Sequence, residues 1–147
     1  MIEPLRMSAE LECSAEHAFS VWTNRFSSWW PRDHSARGNP NAEIVLEPRL
    51  GGRIFERAPD GREIDWGEVT VWEPPTRLAY LWHIGSDRAD ATDVELNFVD
   101  AGDGTARLEL VHTGWERLGA DGPKRRERNT AGWGGLLPHF TAACRRG

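Results

Sequence analysis

The chain is poor in cysteine. Its two cysteines, Cys13 and Cys144, lie near opposite ends of the sequence, and no C-x-x-C motif is present. A disulfide framework and a dithiol redox motif are therefore not indicated. We expect two buried or half-exposed thiols in a reducing compartment rather than a disulfide bridge.

Long apolar runs are also absent. No stretch approaches the roughly 20 consecutive apolar residues that a membrane-spanning helix needs. Residues 1–10 are too charged, and their apolar run is too short, for a signal peptide. We therefore expect a cytoplasmic protein that does not cross a membrane.

Basic residues are outnumbered, with 18 Lys and Arg against 23 Asp and Glu, which gives a net charge of -5. Binding to a nucleic-acid backbone requires clustered positive charge, so a nucleic-acid partner is not expected. The 147 residues fit one domain, and the eight tryptophans supply large apolar rings for a core. The sequence predicts a single domain over residues 1–147.

The first part of the chain contains a helix signal. Ser14 followed by Glu16 is typical of a helix N-terminus, and Ala18, Phe19 and Trp22 follow at helical spacing. This helix should end near residues 24–28. A loop is then expected from Trp29-Trp30-Pro31 through residues 38–41.

From residue 43 onward the apolar pattern has the period of two that is typical of strands. Turn signals such as Pro59-Asp60-Gly61 and Gly102-Asp103-Gly104 separate the segments. One face of the resulting antiparallel sheet should be buried and the other solvated. The predicted strand segments include residues 44–46, 54–55, 66–72, 78–83, 94–98 and 108–112.

The C-terminal segment has one apolar helical stripe, which could cover the buried face of the sheet. Pro138 and three glycines interrupt this segment, so we expect a kinked helix. The basic run from Lys124 to Arg126 predicts the solvated start of this helix, or a docking patch for an acidic partner. The stripe consists of Trp133, Leu136, Leu137, Phe140 and Cys144.

The order of these elements resembles the START-like (SRPBCC) superfamily of helix-grip domains. Within it, the chain resembles the family of homologues of the C-terminal domain of the heat-shock-protein-90 ATPase activator, over essentially its whole length. The motifs that carry the resemblance are residues 14–19, Trp29-Trp30, residues 47–53, residues 66–69, residues 72–78, Gly104-Thr105, residues 110–115 and Gly132-Trp133.

The resemblance implies an α+β fold of the helix-grip (Bet v 1-like) type. Six to seven antiparallel strands would form a curved sheet around a long C-terminal helix, with two short helices after the first strand. It also implies a cavity between sheet and helix that suits a hydrophobic or aromatic small molecule. The residues expected to contact such a ligand are Trp29, Trp30, Phe55, Tyr80, Trp82, Leu96, Leu110, His112, Trp115, Trp133 and Leu137.

Several of these residues have a second interpretation. Trp29 and Trp30 could plug the core or form a lid over a ligand, and adjacent indoles in a loop rarely both point inward. Strand alternation places His112 on an otherwise apolar face, where a histidine is more often a hydrogen-bonded core group than a proton carrier.

Catalytic motifs are absent, including G-x-S-x-G, a glycine-rich phosphate loop and H-E-x-x-H. The five histidines are scattered, so we expect no metal and no cofactor. Three functions stay open. The first is a binder of a small molecule that His112 and Arg53 would orient in the cavity. The others are a chaperone-regulator-like protein interaction module and a cyclase- or hydrolase-like enzyme. The enzyme would pair His112 with Glu95, Glu109 or Asp65, although alternation turns both glutamates away from the apolar face. A homodimer is compatible with the sequence but not indicated by it.

Overall fold

The computed structural model describes residues 2–31, 34, 41–84 and 86–146. Within these residues the chain forms a strand, two helices, six further strands and a long helix, in that order. The helices are α1 Ala15–Thr23, α2 Phe26–Trp29 and α3 Gly122–Arg145, with 3-10 turns at Arg88–Asp90 and Trp115–Asp121. The strands are β1 Leu5–Leu11, β2 Glu43–Leu46, β3 Arg53–Arg57, β4 Glu63–Glu73, β5 Arg77–Trp82, β6 Thr92–Asp100 and β7 Ala106–Thr113.

The strands form one antiparallel sheet in the order β1-β7-β6-β5-β4-β3-β2. Each strand from β2 to β6 pairs with the next along the chain, and β1 pairs with β7. Helices α1 and α2 follow β1, which lies at one edge of the sheet, and β2 lies at the opposite edge. Gly61 and Gly102 lie in tight turns with φ of 91° and 86°, in the left-handed region that favours glycine. The curled sheet wraps around α3, which confirms the predicted helix-grip fold.

Local signals explain the first helix. The Ser14 hydroxyl accepts a hydrogen bond from the His17 backbone N–H at 3.1 Å, and Glu16 lies in the positively polarised first turn. The helix ends at Thr23, and α2 adds a single turn before Trp30 becomes extended. The loop predicted beyond Pro31 falls largely on residues 35–40, which lie outside the described residues.

Helix α3 packs its apolar stripe against the sheet and α1. All five stripe residues are buried, and the Phe140 ring lies 4.8 Å from the Trp22 ring. Pro138 lies inside the helix, which continues to Arg145. The kink expected at Pro138 stays a prediction. No helix among the described residues is long and apolar enough to cross a membrane.

The two cysteines, remote in sequence, meet in the fold. Cys13 follows β1 and Cys144 lies near the end of α3, and both are buried free thiols as expected. Their side chains contact each other, and burial raises the pKa of both thiols. The contact joins the start of the domain to its last helix.

Candidate functional site

A cavity of about 240 Å³ lies between the sheet and the first half of α3. Four indoles form its apolar wall: Trp30 after α2, Trp82 at the end of β5, Trp115 after β7, and Trp133 on α3. The Trp82 ring lies 5.8 Å from Trp133 and 5.7 Å from Trp30. Tilted and edge-on ring contacts of this kind stabilise a rigid aromatic wall.

The expectation that one of the adjacent indoles Trp29 and Trp30 is exposed is wrong, because both are buried. Trp29 ends the one-turn helix α2, stacks on Phe26 and donates from Nε1 to the Val21 carbonyl at 3.2 Å. Trp30 is already extended and turns toward the Trp66 ring, 5.2 Å away, and toward the cavity. Both indoles contact Phe26, but of the two only Trp30 lines the cavity.

One side of the cavity wall is polar and carries positive charge. It includes Arg125, Arg128 and Asn129 on α3, His83 just after β5, and Thr92 at the start of β6. Although the chain carries a net charge of -5, none of the described residues that line the cavity is acidic. The other lining residues are His34, Ile84, Gly132 and Leu136.

His112 lies behind this wall and is fully buried. Its Nδ1 accepts a hydrogen bond from Trp133 Nε1 at 3.0 Å, so the proton of the neutral ring resides on Nε2. Nε2 therefore donates to the Thr92 hydroxyl at 2.6 Å, and that hydroxyl donates to the Trp82 carbonyl at 3.3 Å. Burial lowers the pKa of His112 to about 3, which keeps the ring neutral at physiological pH.

This network makes His112 a positioning residue for the cavity wall. Its backbone carbonyl also accepts a hydrogen bond from Trp115 Nε1 at 3.0 Å, and the two rings lie 4.2 Å apart. With both ring nitrogens occupied, His112 has no lone pair free to take a proton from a ligand. The geometry fits the interpretation of His112 as a hydrogen-bonded core residue rather than a proton carrier.

The carboxylates considered as partners for His112 lie on the outer face of the sheet. Asp65 pairs with Arg53 at 2.7 Å, Glu95 with Arg77 at 3.4 Å, and Glu109 lies 3.7 Å from Arg107. All three carboxylates are at least partly solvent-exposed. An acid–base pair between His112 and any of them is therefore not formed.

Arg53 and Phe55 also lie on the outer face. Ile54 and Glu56 of the same strand are buried inward, so alternation turns the residues between them outward. The Arg53 guanidinium covers the Phe55 ring at 4.2 Å, and its hydrogen bond to Asp65 raises the pKa of Arg53. Contrary to expectation, Arg53 cannot orient a ligand in this cavity and Phe55 does not reach it.

Trp30, Trp82, Trp115 and Trp133 are the predicted contact residues that the structure brings together around the cavity. Tyr80 lies beneath the wall with its side chain fully buried. Burial raises the pKa of the Tyr80 hydroxyl. The other predicted contacts that pack in the core away from the cavity are Trp29, Leu96, Leu110, His112 and Leu137.

A buried carboxylate supports the wall from behind. Glu56 is 1% exposed and accepts a hydrogen bond from Trp66 Nε1 at 2.9 Å. The Trp66 ring in turn meets Trp82 edge-on at 5.7 Å. Glu56 was not predicted from the sequence. Strand alternation nevertheless places it on the same inner face as Ile54, two residues earlier.

His83 is a second histidine of the site, and the sequence analysis did not select it. Its Nδ1 lies 3.1 Å from the Ser86 carbonyl, so Nδ1 carries the proton and Nε2 is the acceptor in the neutral ring. Strict alternation from Trp82 would turn His83 outward. Strand β5 ends at Trp82, however, and the turn that follows places His83 on the cavity wall beside Trp82.

The basic run at the start of α3 does not form one patch. Arg126 turns away from the cavity and donates to the backbone carbonyls of Glu3 and Pro4 at 2.7 and 3.1 Å. Arg125 faces the cavity, while Lys124 is exposed. A signal was present in the sequence, because positions 125, 128, 129 and 132 continue the apolar stripe of α3 toward its N-terminus at helical spacing.

A curled antiparallel sheet around a long C-terminal helix, with a cavity at their junction, defines the helix-grip fold of START-like domains. A model of the family described as activator of Hsp90 ATPase homolog 1-like protein matches residues 12–144. The chain belongs to this family. A search of curated proteins found no significant match.

Solved structures share the fold. An anthrahydroquino-gamma-pyrone synthase, Txn09, solved as a complex with SUM, is 34% identical with a TM-score of 0.65, and 97% of each chain is covered. The self-sacrificing resistance protein CalC from Micromonospora echinospora is 25% identical with a TM-score of 0.73, over 97% of this chain and 94% of CalC. Protein MLL2253 from Mesorhizobium loti, at 18% identity, has a TM-score of 0.71 with 98% of both chains covered.

Proposed function

We propose that the protein binds an aromatic small molecule in the cavity between the sheet and α3. The observation that carries the proposal is the wall of four indoles, which closes on a space with polar groups along one side. Small-molecule sites commonly combine apolar aromatic walls with a few placed polar groups. The volume of about 240 Å³ lies just below the usual range of roughly 300–1,000 Å³, which favours a compact ligand of two or three fused rings.

The similarity to Txn09 supports a polycyclic aromatic ligand class. That protein is described as an anthrahydroquino-gamma-pyrone synthase, and its similarity extends over nearly the whole of both chains. The shared fold alone would not support a ligand, because one fold hosts many functions. The indole wall and the similarity to Txn09 together support an aromatic ligand.

Filling the cavity tests the proposal. A Cβ atom built on Gly132 or on Gly134 meets no atom within 4 Å, but only Gly132 lines the cavity. Gly132→Leu should therefore obstruct the cavity, while Gly134→Leu adds the same side chain to the exposed side of α3. The probes are 2-naphthamide, anthraquinone and flavone, titrated against tryptophan fluorescence.

We expect saturable quenching by at least one probe in the wild type. Gly132→Leu should weaken this binding strongly, and Gly134→Leu should retain it. Absence of quenching by all three probes, or equal loss in both variants, would contradict a ligand site at this cavity.

A second candidate function is proton transfer to a bound ligand by His83. With Nδ1–H held by the Ser86 carbonyl, Nε2 is the acceptor of the neutral ring, and His83 lines the cavity. It could take a proton from a carbon next to a ligand carbonyl, leaving the electron pair in an enolate, and later return it. The similarity to a synthase favours this candidate over a reaction at His112, whose ring nitrogens are both occupied.

Deuterium incorporation from heavy water into the α-carbon of 2-tetralone measures this proton transfer. The wild type should accelerate the exchange and His83→Gln should not. His139→Gln, which changes an exposed histidine on α3, is the matched control. Exchange at the same rate in wild type and His83→Gln would refute the catalytic role.

A chaperone-regulator role is the alternative that the family description suggests. Among the described residues, the large hydrophobic side chains that are exposed are Leu50 and Val99, so the described surface offers no extended apolar docking patch. We therefore place the small-molecule cavity first. Pull-down of a chaperone by the ligand-free protein, unaffected by Gly132→Leu, would favour the alternative.

A further inference from the structure

We propose that Arg125 and Arg128 bind an acidic group of the ligand, so that the cavity selects aromatic molecules carrying a carboxylate or a phenolate. This inference rests on the proposed function and names its ligand class. Both guanidinium groups belong to residues that line the cavity, one turn apart on the same face of α3. Arg125 is half-buried and Arg128 is exposed, so they lie where the cavity opens to solvent.

Arg125 and Arg128 are unpaired arginines that line the cavity, whereas Arg6, Arg25, Arg126 and Arg146, which also form no ion pair with a described residue, do not line it. Neither Arg125 nor Arg128 forms an ion pair with any of the described residues. Most arginines of the sheet, in contrast, neutralise a neighbouring carboxylate on its outer face. The described arginines in ion pairs are Arg49, Arg53, Arg57, Arg62, Arg77, Arg88, Arg107, Arg117 and Arg145.

The distribution of charge around the cavity points the same way. The chain has 23 acidic residues, yet none of the described lining residues is acidic. A positive field inside a low-dielectric cleft attracts anions and repels cations more strongly than the same charges on an open surface. Glu56 is buried behind the wall and is hydrogen-bonded to Trp66, so the charged side chains among the described lining residues are basic, which suits the cleft to bind an anion.

The chemistry of the side chains specifies the anion. A guanidinium presents a planar fork of N–H donors that matches the two oxygens of a carboxylate. Asn129, one residue beyond Arg128, donates through Nδ2 to the Arg125 carbonyl at 2.9 Å. Its amide oxygen therefore remains available to accept a hydrogen bond from a phenol or enol hydroxyl of the same ligand.

The polarity of the wall also gives an orientation. The indoles of Trp115 and Trp133 are almost fully buried, whereas the arginines border on solvent. A fused-ring acid should therefore insert its rings among the indoles and hold its carboxylate toward the N-terminal half of α3. The reverse orientation would bury an anion among apolar rings without a partner, which is costly.

The test compares 2-naphthoic acid with 2-naphthamide, which have the same rings and differ in charge. Dissociation constants are measured by isothermal titration at two salt concentrations. We expect the acid to bind the wild type about tenfold more tightly than the amide, with a preference that shrinks in high salt. The variant Arg125→Gln/Arg128→Gln should bind the acid and the amide with equal affinity.

The matched control is Lys124→Gln/Arg146→Gln, which removes two positive charges from exposed positions near the two ends of α3. It should retain the preference for the acid. Equal binding of acid and amide to the wild type, or a preference that survives in Arg125→Gln/Arg128→Gln, would overturn the inference while leaving the aromatic site intact. Failure of both compounds to bind, together with failure of the neutral probes, would instead remove the proposed function.

Discussion

At the scale of single residues, the shape of the cavity depends on one neutral imidazole. His112 holds the side chains of Trp133 and Thr92 by hydrogen bonds to its two ring nitrogens, and Trp115 by its backbone carbonyl. Protonation would replace the acceptor at Nδ1 by a donor that faces the Trp133 N–H. The buried network is therefore stable only while the ring is neutral.

The pH dependence of stability tests this assignment. The pKa of His112 falls from an ordinary value of 6.5 in the unfolded chain to about 3 in the native protein. Between these two pKa values the unfolded state binds more protons than the native state. The contribution of the neutral His112 to the free energy of unfolding is therefore complete above pH 6.5 and is lost as the pH falls toward 3. One proton gives a slope of at most about 1.4 kcal/mol per pH unit.

Urea unfolding of wild type and His112→Gln at several pH values between these two pKa values measures the difference. The variant should be less stable than the wild type at neutral pH. A plot of its free energy of unfolding against pH should also be less steep than that of the wild type, by up to the slope of one proton. The carboxylates titrate in both proteins and cancel in the comparison. Parallel pH profiles would show that His112 is not held neutral by burial.

At the scale of elements, α3 performs two tasks with one face. Its C-terminal half presents apolar side chains such as Leu136 and Phe140 to the core, and its N-terminal half presents Arg125, Arg128 and Asn129 to the cavity. Gly132 lies where the two halves meet and leaves room in the cavity. The glycines in α3 lower its intrinsic helix propensity, so packing of the stripe must stabilise it.

Gly134 and Gly135 are exposed on α3, and an added Cβ meets no atom within 4 Å at either position. We expect Gly134→Ala to raise the free energy of unfolding by about 1 kcal/mol, because alanine loses less backbone entropy in a helix. Urea unfolding checks the value, with Gly61→Ala as the opposite case, because its φ of 91° strains any side chain. A destabilising Gly134→Ala would mean that α3 bends or packs here in a way that needs glycine.

At the scale of the whole molecule, the sequence predicted the layout better than the site. Alternation identified the strands and the inward face of β5 to β7, and helical spacing identified the stripe of α3. Phe55 was expected to face the cavity from the family resemblance, whereas Arg53 and Arg57 cover it on the outer face.

The polar part of the site was harder to predict. Arg125 and Arg128 look like the solvated side of a helix when the run of basic residues is considered by itself, and only the packing of α3 shows which of them face the cavity. His83 depends on the exact residue at which β5 ends. Side-chain direction beyond a strand end follows from the turn, which the period of two does not describe.

The most direct test of the central claim follows the indole N–H signals of all eight tryptophans in a ¹H–¹⁵N correlation spectrum. On titration with 2-naphthoic acid, we expect large ring-current shifts for Trp30, Trp82, Trp115 and Trp133, which line the cavity. The four indoles that do not line it, Trp22, Trp29, Trp66 and Trp72, should shift little. Shifts spread evenly over all eight signals, or concentrated on the second group, would contradict a ligand site at this cavity.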